Sequence, residues 1–257
     1  MKLIHLGDIH IEPLRRHEEY KNAFKKLYSE LKEIRDIKAI IICGDIIDRS
    51  YNLTSEALVV LKELLINLSK IRKTIIFSGN HDLRLGHEPI LKFVADKIYN
   101  VEYLQYTGIY TIDSIDYYLK SLEDDNTFPI KERSNNKKVG LYHGTLNGVD
   151  TNIEGELSIS MFKDMDITLL GDYHKLIEIG DNIAYSTSLI QRNHGETIDG
   201  HGYNIWDLDN DNYIFNELKN DHSFVTIKPP YIIEDSLTKN IYLRIFYEIN
   251  TNTDELK

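Results

Sequence analysis

The chain is poor in cysteine, in basic side chains and in long apolar segments, and each shortage excludes or disfavours a structural or functional class. One cysteine among 257 residues excludes an internal disulfide. Its position inside the apolar run AIIICG predicts that Cys43 is a buried thiol instead of a nucleophile or a metal ligand. No segment approaches the roughly 20 apolar residues of a membrane-spanning helix. We therefore expect a soluble protein that does not associate with membranes.

The N-terminus also lacks the basic, apolar and small-residue order of a secretory signal, because Met1 leads directly into the strand-like segment KLIHL. This favours a cytoplasmic location. The length allows one large domain, or a core domain and the start of another. With 42% hydrophobic and 28% charged residues, the composition is close to that of globular proteins and predicts a sizeable buried core.

Basic residues are outnumbered, with 30 Lys and Arg against 41 Asp and Glu, so the formal net charge is −11. Nucleic-acid backbones are normally held by clustered Lys and Arg, and this balance argues against a nucleic-acid ligand without excluding one. Two bound divalent ions, a local basic face or a partner protein would offset part of the negative charge.

Short apolar runs alternate with amphipathic helical segments through the first hundred residues, which is typical of β-α-β units around a sheet. We predict strands at 2–6, 39–43 and 74–78, and helices at about 18–36 and 55–70. Thr54 or Ser55 is the expected N-cap of the second helix, and Pro89 is placed to open a third. The predicted fold class is α/β.

Strand-like segments dominate after residue 100. The pattern predicts strands within 101–122, a polar surface loop over 123–138, and two buried strands, KVGLYH and DITLLG, separated by a short helix near 158–164. The segments NIAYSTSLI, GYNIWDL and NYIFNEL follow as closely spaced strands typical of a second sheet. Pro229-Pro230 indicates a linker before a final strand, YLRIFYEI.

Metal-ligand side chains follow five of the predicted buried strands, at the place where open α/β sheets carry their ligand-binding loops. KLIHL is followed by GDIH, AIIIC by GDIID, TIIFS by GNHD, KVGLY by HG and DITLL by GDYH. Capping or turn formation would explain any one of these segments, but neither requires all five in this order. The candidate metal ligands are Asp8, His10, Asp45, Asn80, His143, Asp172 and His174.

These residue types suit a pair of metal ions. Asp8 and His10 are two residues apart, so in an extended segment both side chains point to the same side. The two oxygens of Asp45 can bridge two cations, and amide oxygens and imidazole nitrogens can complete the coordination. Such a pair lowers the pKa of a shared water and holds the attacked phosphoryl group. The glycines before these ligands are expected to allow sharp turns and to keep the adjacent space clear.

The series DxH, GDxxD, GNHD, H and GxxH resembles the calcineurin-like metallophosphoesterase superfamily over residues 1 to about 208. GNHD and the segment AYSTSLIQRNHGETIDGHGYNIWDL resemble, more narrowly, the SbcD-type DNA repair and recombination nucleases, including the phage recombination nuclease. The resemblance implies a four-layer α-β-β-α sandwich with a catalytic core at 1–220. It also implies a linker and the beginning of a small C-terminal capping unit at 221–257. Two positions depart from the pattern: Thr187 replaces a usual glycine, and Asp172 replaces a histidine.

The resemblance also implies roles for the site residues. One ion would be held by Asp8, His10, Asp45 and His174. The other would be held by Asp45, Asn80, His143 and Asp172. His81 would face the scissile phosphate and protonate the leaving oxygen or stabilise the transition state, and Asp82 would orient its ring.

The activity implied by this resemblance is Mn²⁺-dependent DNA cleavage, with Mg²⁺ as a second possible metal. Its modes are 3′-to-5′ exonuclease action on duplex ends and endonuclease action on single strands, with an SbcC-like ABC-type ATPase as partner and a possible homodimer. Two alternatives stay open. The segment GDIIDRS resembles a protein-phosphatase motif, which would make the chain a phosphomonoesterase. A metallophosphoesterase fold that has lost catalysis would serve as a protein-binding scaffold.

Overall fold

The computed structural model describes residues 1–84, 86–129, 135–149, 155, 157–177, 179–229 and 240–246. Parts of three predicted features lie outside these residues: positions 130–134 of the polar loop, Pro230, and the last three residues of YLRIFYEI. The strands are β1 (Lys2–Leu6), β2 (Ile37–Cys43), β3 (Thr74–Phe77), β4 (Val101–Tyr103), β5 (Gly108–Ile112), β6 (Ile115–Lys120), β7 (Lys137–His143), β8 (Leu146–Asn147), β9 (Leu157–Ser158), β10 (Ile167–Gly171), β11 (Ile183–Tyr185), β12 (Gly202–Asp207), β13 (Asn212–Glu217), β14 (His222–Ile227) and β15 (Asn240–Ile245).

Two mixed sheets form the centre of the molecule. The first has six strands in the order β13-β12-β1-β2-β3-β4, and the second has five in the order β11-β10-β7-β6-β5. In the first sheet β1 to β4 are parallel, whereas β12 and β13 are antiparallel to their neighbours. The α/β fold class predicted from the sequence is confirmed.

The helices are α1 (His17–Glu33), α2 (Ser55–Ile71) and α3 (Ile90–Ala95). Apolar residues of α1 and α2 recur at helical spacing and pack on the outer face of the first sheet. The predicted cap is present, because the Thr54 hydroxyl accepts the backbone N–H of Ala57 at 3.3 Å. Pro89 directly precedes α3, as expected.

The inner faces of the two sheets pack against each other. Leu3, Ile41 and Phe77 of the first sheet share one apolar cluster with Leu141 and Leu169 of the second. Cys43 lies in this cluster with no exposed surface, which confirms the buried thiol. The outer face of the second sheet is covered, within the described residues, by a 3-10 turn (Ile159–Phe162) and loop segments. The four layers are therefore helix, sheet, sheet and an irregular cover.

The structure corrects one part of the predicted strand arrangement. GYNIWDL and NYIFNEL form β12 and β13 as strands, but they return to the first sheet, where β12 pairs with β1. Only Ile183–Tyr185 of NIAYSTSLI is a strand, and it joins the second sheet. Alternation along a strand identifies its buried face but not its neighbour, so the pairing was not readable from the local pattern.

A parallel pair, β14 and β15, follows the first sheet. Two contacts attach β14 and the residue before it to the rest of the molecule. Lys26 Nζ lies 2.8 Å from Asp221 Oδ1, and the Phe224 N–H donates to Gln191 Oε1 at 2.7 Å. The boundary near residue 220 stays a prediction. None of the helices in the described ranges is both long and apolar enough to cross a lipid bilayer.

Candidate metal centre

Five loops meet at the carboxyl ends of the central strands, where the sequence places its ligand-type residues. The loops after β1 and β2 are joined by backbone hydrogen bonds, from Asp8 N to the Gly44 carbonyl at 3.1 Å and from His10 N to the Asp45 carbonyl at 2.9 Å. The loops after β7 and β10 are joined from Gly144 N to the Gly171 carbonyl at 3.1 Å. This edge therefore has a fixed backbone framework.

The backbone of these loops is left-handed at several ligand positions. Asp8, His10, Asp45 and Asp172 have φ values of 50°, 49°, 49° and 100°. The side chains of Asp8 and His10 converge, as expected, but the expectation that their segment is extended is wrong, because both residues have a left-handed backbone. Such conformations cost about 1–3 kcal/mol each and concentrate at functional sites.

Asp8, His10 and His174 form the first group of donor atoms. The Nε2 atoms of His10 and His174 are 3.1 Å apart, and His174 Nε2 lies 3.6 Å from Asp8 Oδ1. The other Asp8 oxygen is held by the Ser186 hydroxyl at 3.0 Å. Two imidazole nitrogens and a carboxylate oxygen therefore face one point.

The second group contains His143, Asn80 and Asp45. His143 Nε2 is 3.1 Å from Asn80 Oδ1 and 3.4 Å from Asp45 Oδ1. The other oxygen, Asp45 Oδ2, lies 3.3 Å from His10 Nε2 in the first group. Asp45 thus presents one oxygen to each group, which is the geometry of a carboxylate that bridges two ions.

Asp172 lies at the rim of the second group. Its Oδ1 is 3.8 Å from His143 Nε2, while its Oδ2 accepts the Thr145 hydroxyl at 2.8 Å. The side chain is 31% exposed, compared with 1% for His143. A cleft of about 320 Å³ opens beside it, bordered by Asn80, Leu122, Tyr142, His143, Gly144, Thr145, Gly155 and Asp172.

Glycine is required at two of the turns that carry these ligands. A Cβ atom at Gly79 would lie 2.2 Å from Asp45 Oδ1 and 2.7 Å from a ring carbon of His143. Gly44 has a φ of +79°, and a Cβ there would lie 2.5 Å from His143 Nδ1. The expectation that these glycines clear space beside the ligands is confirmed.

The side chains of the site have perturbed protonation. Burial opposes the charged form of His143, but the hydrogen bond and charge of Asp45 outweigh it and raise the pKa of His143 to about 10. Burial also opposes the charge on Asp45, yet His143 and His10 hold the pKa of that carboxyl below its usual range. Burial raises the pKa of Asp8 to about 6.

His81 and Asp82 do not form the pair expected from the sequence. The Asp82 carboxylate accepts backbone N–H groups of Ile47 at 2.9 Å and Gly79 at 3.0 Å, so it fastens the loop after β3 to the loop after β2. The His81 ring instead contacts the backbone carbonyl of Asp48 through Nδ1. The prediction that Asp82 orients the ring is therefore wrong, because the carboxylate is occupied by backbone donors. His81 N donates to Asp45 Oδ1 at 2.9 Å.

Three residues at the site, Glu196, Arg192 and Asp48, were missed as site residues by the sequence reasoning. Glu196 Oε1 lies 3.0 Å from His174 Nδ1, an arrangement that fixes the ring of a metal-ligating histidine. Arg192 Nη2 donates to Asp48 Oδ1 at 2.6 Å, and that oxygen is 3.7 Å from His10 Nδ1. Glu196 lies in the segment AYSTSLIQRNHGETIDGHGYNIWDL, whose resemblance to the SbcD-type nucleases is the signal that could have identified it. Nothing in the local sequence marked Arg192.

Two other positions of the late segment are explained by the structure. Thr187 has no left-handed backbone, so no glycine is needed there, and its buried hydroxyl accepts the Gly202 N–H at 3.1 Å. His194 lies away from the donor groups, with its ring 5.1 Å from that of Phe224. His5 is buried in β1, and His201 is buried against Ser188 and Thr197.

The donor set fits divalent metal ions. His10 Nδ1 is buried and has no hydrogen-bond partner among the described residues, and His10 Nε2 faces His174 and Asp45. Carboxylate oxygen, amide oxygen and imidazole nitrogen form the mixed set that Mn²⁺, Zn²⁺ and related ions accept. Asp8, His10, Asp45 and His143 are almost fully buried, and such a cluster of carboxylates and imidazoles is costly without a cation.

The chain is similar in sequence to known phosphoesterases over most of its length. A family model described as calcineurin-like phosphoesterase matches residues 1–226. An uncharacterized protein of Acanthamoeba polyphaga mimivirus is 31% identical over 277 aligned residues, which cover 97% of this chain and 20% of that protein. This chain therefore spans about a fifth of the length of that relative.

Two bacterial relatives have a stated function. The SbcD component of the SbcCD nuclease of Staphylococcus epidermidis is 24% identical over 89% of this chain and 70% of its own length. The same component from Staphylococcus saprophyticus is 24% identical over 89% and 69%. Among solved structures, the Escherichia coli phosphoesterase Yfce has a TM-score of 0.43 at 15% identity, covering 83% of this chain and 97% of that one. The Pseudomonas putida nuclease MPE has a TM-score of 0.38 at 12% identity, covering 80% and 83%.

Proposed function

The chain belongs to the calcineurin-like phosphoesterase family, whose fold binds divalent metals, and we propose that it is a metal-dependent DNA nuclease of the SbcD type. The observation that carries the hydrolytic part is Asp45, whose two oxygens face His10 and His143 at 3.3 and 3.4 Å. The similarity to the SbcD components of two SbcCD nucleases, at 24% identity, supports the choice of DNA as substrate.

In this proposal the seven ligand-type residues hold two divalent ions, Mn²⁺ in the first place, with Mg²⁺ as the alternative. When bound, the ion pair lowers the pKa of a shared water and neutralises charge on the phosphoryl group. Asp45 keeps both sites at a fixed separation, and Glu196 fixes the ring of His174. His81 contributes a proton donor or a charge beside the leaving oxygen, held in place by the carbonyl of Asp48.

Ligand residues are largely retained, which supports an enzyme over a scaffold. Among the ligand positions only Asp172 departs from the family pattern, and it is a carboxylate that points at the second group and is held by the Thr145 hydroxyl. The phosphomonoesterase alternative rests on GDIIDRS, in which Arg49 Nε lies 3.6 Å from Asp48 Oδ2 beside the site. DNA, an SbcC-like ATPase partner, a homodimer and the capping unit at 221–257 are parts of the same proposal.

The deciding experiment compares substrates. The purified chain is incubated with Mn²⁺, Mg²⁺ or chelator and offered linear duplex DNA, single-stranded DNA or a phosphopeptide. We expect Mn²⁺-supported cleavage of DNA and little release of phosphate from the peptide. Asp45→Ala should abolish cleavage and empty or scramble both sites, whereas the exposed Asp199→Ala should change neither. Phosphopeptide turnover without DNA cleavage would replace the nuclease with the phosphomonoesterase, and two metals retained in Asp45→Ala would refute the bridge.

A further inference from the structure

Arg192 places a guanidinium at the edge of the candidate metal centre. Its Nη2 donates to Asp48 Oδ1 at 2.6 Å, and its Nη1 lies 3.5 Å from both ring nitrogens of His174. The side chain keeps 20% of its surface exposed, so the group is open to a ligand that approaches the site from solvent. A guanidinium has five N–H donors, and the contacts with Asp48 and His174 use only part of that capacity.

The loop that carries Arg192 is fixed on both sides. Glu196 accepts the Arg192 N–H through Oε2 at 2.8 Å and contacts His174 Nδ1 through Oε1 at 3.0 Å, so one carboxylate positions both residues. The guanidinium of Arg16, only 2% exposed, donates to the carbonyls of Gln191 at 2.7 Å and Arg192 at 3.1 Å. The backbone at Arg192 is therefore fixed relative to His174, a proposed metal ligand.

The positive charge of Arg192 next to the proposed metal ions indicates what the guanidinium binds. A fixed cation beside a centre that holds two divalent ions is repelled by them, and the single ion pair with Asp48 only partly offsets that repulsion. The arrangement becomes favourable when a further anion lies between the guanidinium and the ions. Arginine is suited to this task, because its planar fork matches the oxygens of a phosphoryl group in a way that lysine does not.

We propose that Arg192 binds a non-bridging oxygen of the phosphoryl group at this centre, through the donors that Asp48 and His174 leave available. The ligand class is a phosphate ester before cleavage and the phosphate-bearing product after it. This inference rests on the proposed function, since it requires a phosphoryl group at the metal centre, but it does not depend on whether the ester is DNA. Arg192 is then the residue that aligns the substrate, while the donor groups hold the ions.

The test measures phosphate binding and metal content separately. Inorganic phosphate and thymidine monophosphate are titrated calorimetrically into the Mn²⁺-loaded chain, and metal per chain is determined by elemental analysis. The variants are Arg192→Gln, Arg192→Lys and, as a matched control, Arg72→Gln, an exposed arginine beyond α2 at the opposite end of the sheet. Thermal unfolding confirms that each variant is folded.

We expect Arg192→Gln to keep the metal content and to weaken phosphate binding about ten- to hundredfold, the range for removal of a charged hydrogen bond. Arg192→Lys should recover part of the loss, and Arg72→Gln should bind like the parent chain. Unchanged phosphate affinity in Arg192→Gln would overturn the proposal, as would loss of metal, which would make Arg192 a positioning residue for His174 and Asp48. Phosphate binding that depends on Arg192 in a chain that leaves DNA intact would refute the nuclease alone.

Discussion

His81 lies next to the two donor groups but is not one of the seven proposed ligands. Its ring is 4.8 Å from that of His10 and nearly perpendicular to it, and Nδ1 is fixed by the Asp48 carbonyl. Within the described residues no hydrogen bond engages Nε2, which can therefore face a leaving group. We predict that His81→Ala keeps both metals and lowers the cleavage rate by about two to four orders of magnitude, as for loss of a general acid. Elemental analysis and single-turnover rates measure the two effects, with the exposed His87→Ala as control. A drop in metal content would instead assign His81 to the ligands, as its closeness to His10 and Asp48 permits.

Whether Asp172 binds a metal ion decides between an intact second metal site and one that has lost a ligand. We predict that Asp172→Ala loses one metal equivalent while the ion held by Asp8, His10 and His174 stays. Asp172→His should keep two and shift the preference from Mn²⁺ or Mg²⁺ towards Zn²⁺, because imidazole is a softer donor than carboxylate. Metal content and Mn²⁺- and Zn²⁺-supported cleavage are compared in the parent chain and both variants. Two metals and full activity in Asp172→Ala would remove Asp172 from the ligand set.

His5 ties the two sheets together as a neutral ring. Its Nε2 donates to the Leu170 carbonyl at 3.0 Å, and its Nδ1 accepts the Trp206 indole N–H at 3.3 Å. Burial lowers the pKa of His5 from 6.5 to about 3. The unfolded chain therefore binds one proton more than the folded chain between these values, and stability is lost as the pH falls through this window.

We predict that this loss approaches roughly 1.4 kcal/mol per pH unit below the unfolded pKa. The measurement is the free energy of unfolding by urea at several pH values from about 6.5 to about 4, in the presence of chelator, for the parent chain and His5→Gln. Glutamine does not titrate, so the variant should show a shallower decline. Parallel curves for the two proteins would exclude His5 as the source.

The ligand-type residues could be located from the sequence because each lies at the end of a strand or within four residues after it, and a strand end fixes where those residues lie. Asp45 and His143 are examples, and their glycines carry the same information. Arg192 and Glu196 could not be assigned in this way. Their positions depend on the path of an irregular loop over 186–201, which is set by partners distant in sequence such as Arg16.

At the level of elements, the turn after β3 is shaped by the absence of a side chain at Gly79. A Cβ there would collide with Asp45 Oδ1 and with His143, so the β3 loop or the bridging carboxylate must move. We predict that Gly79→Ala lowers metal affinity at both sites and destabilises the protein by about 1–3 kcal/mol, as overpacking does. Metal titration and urea unfolding test both effects. Gly180→Ala is the matched control, because its Cβ would meet only Ile183 at an ordinary 3.6 Å; equal behaviour of the two variants would refute the steric argument.

Helices and strands differed in how well they could be predicted. The helical periods gave α1 and α2 to within a few residues, since a buried stripe and a cap such as Thr54 are local features. The membership of β12 and β13 in the first sheet was missed, because pairing with β1 is a contact across about two hundred residues. The irregular cover of the second sheet likewise has no periodic pattern that sequence reading detects.

For the molecule as a whole, the net charge of −11 opposes binding to a polyanion. We predict that the isolated chain binds DNA weakly and with a steep dependence on salt, because only local contacts and bound metals oppose the general repulsion. Adding an SbcC-like ATPase should tighten binding. Fluorescence anisotropy with a labelled duplex, across a salt series and with chelator as control, provides the measurement. Nanomolar affinity of the free chain at physiological salt would contradict this expectation.

The pairing of β1 with β12 has a consequence for the order in which the chain acquires structure during synthesis. Residues 2–5 pair with residues 204–207, so β1 stays unpaired on that side until about 200 further residues have been synthesised. Contacts of such high sequence separation slow folding and leave an unpaired strand edge open meanwhile. We therefore expect nascent chains that end before residue 204 to expose the β12-facing edge of β1, and to be the species that chaperones engage.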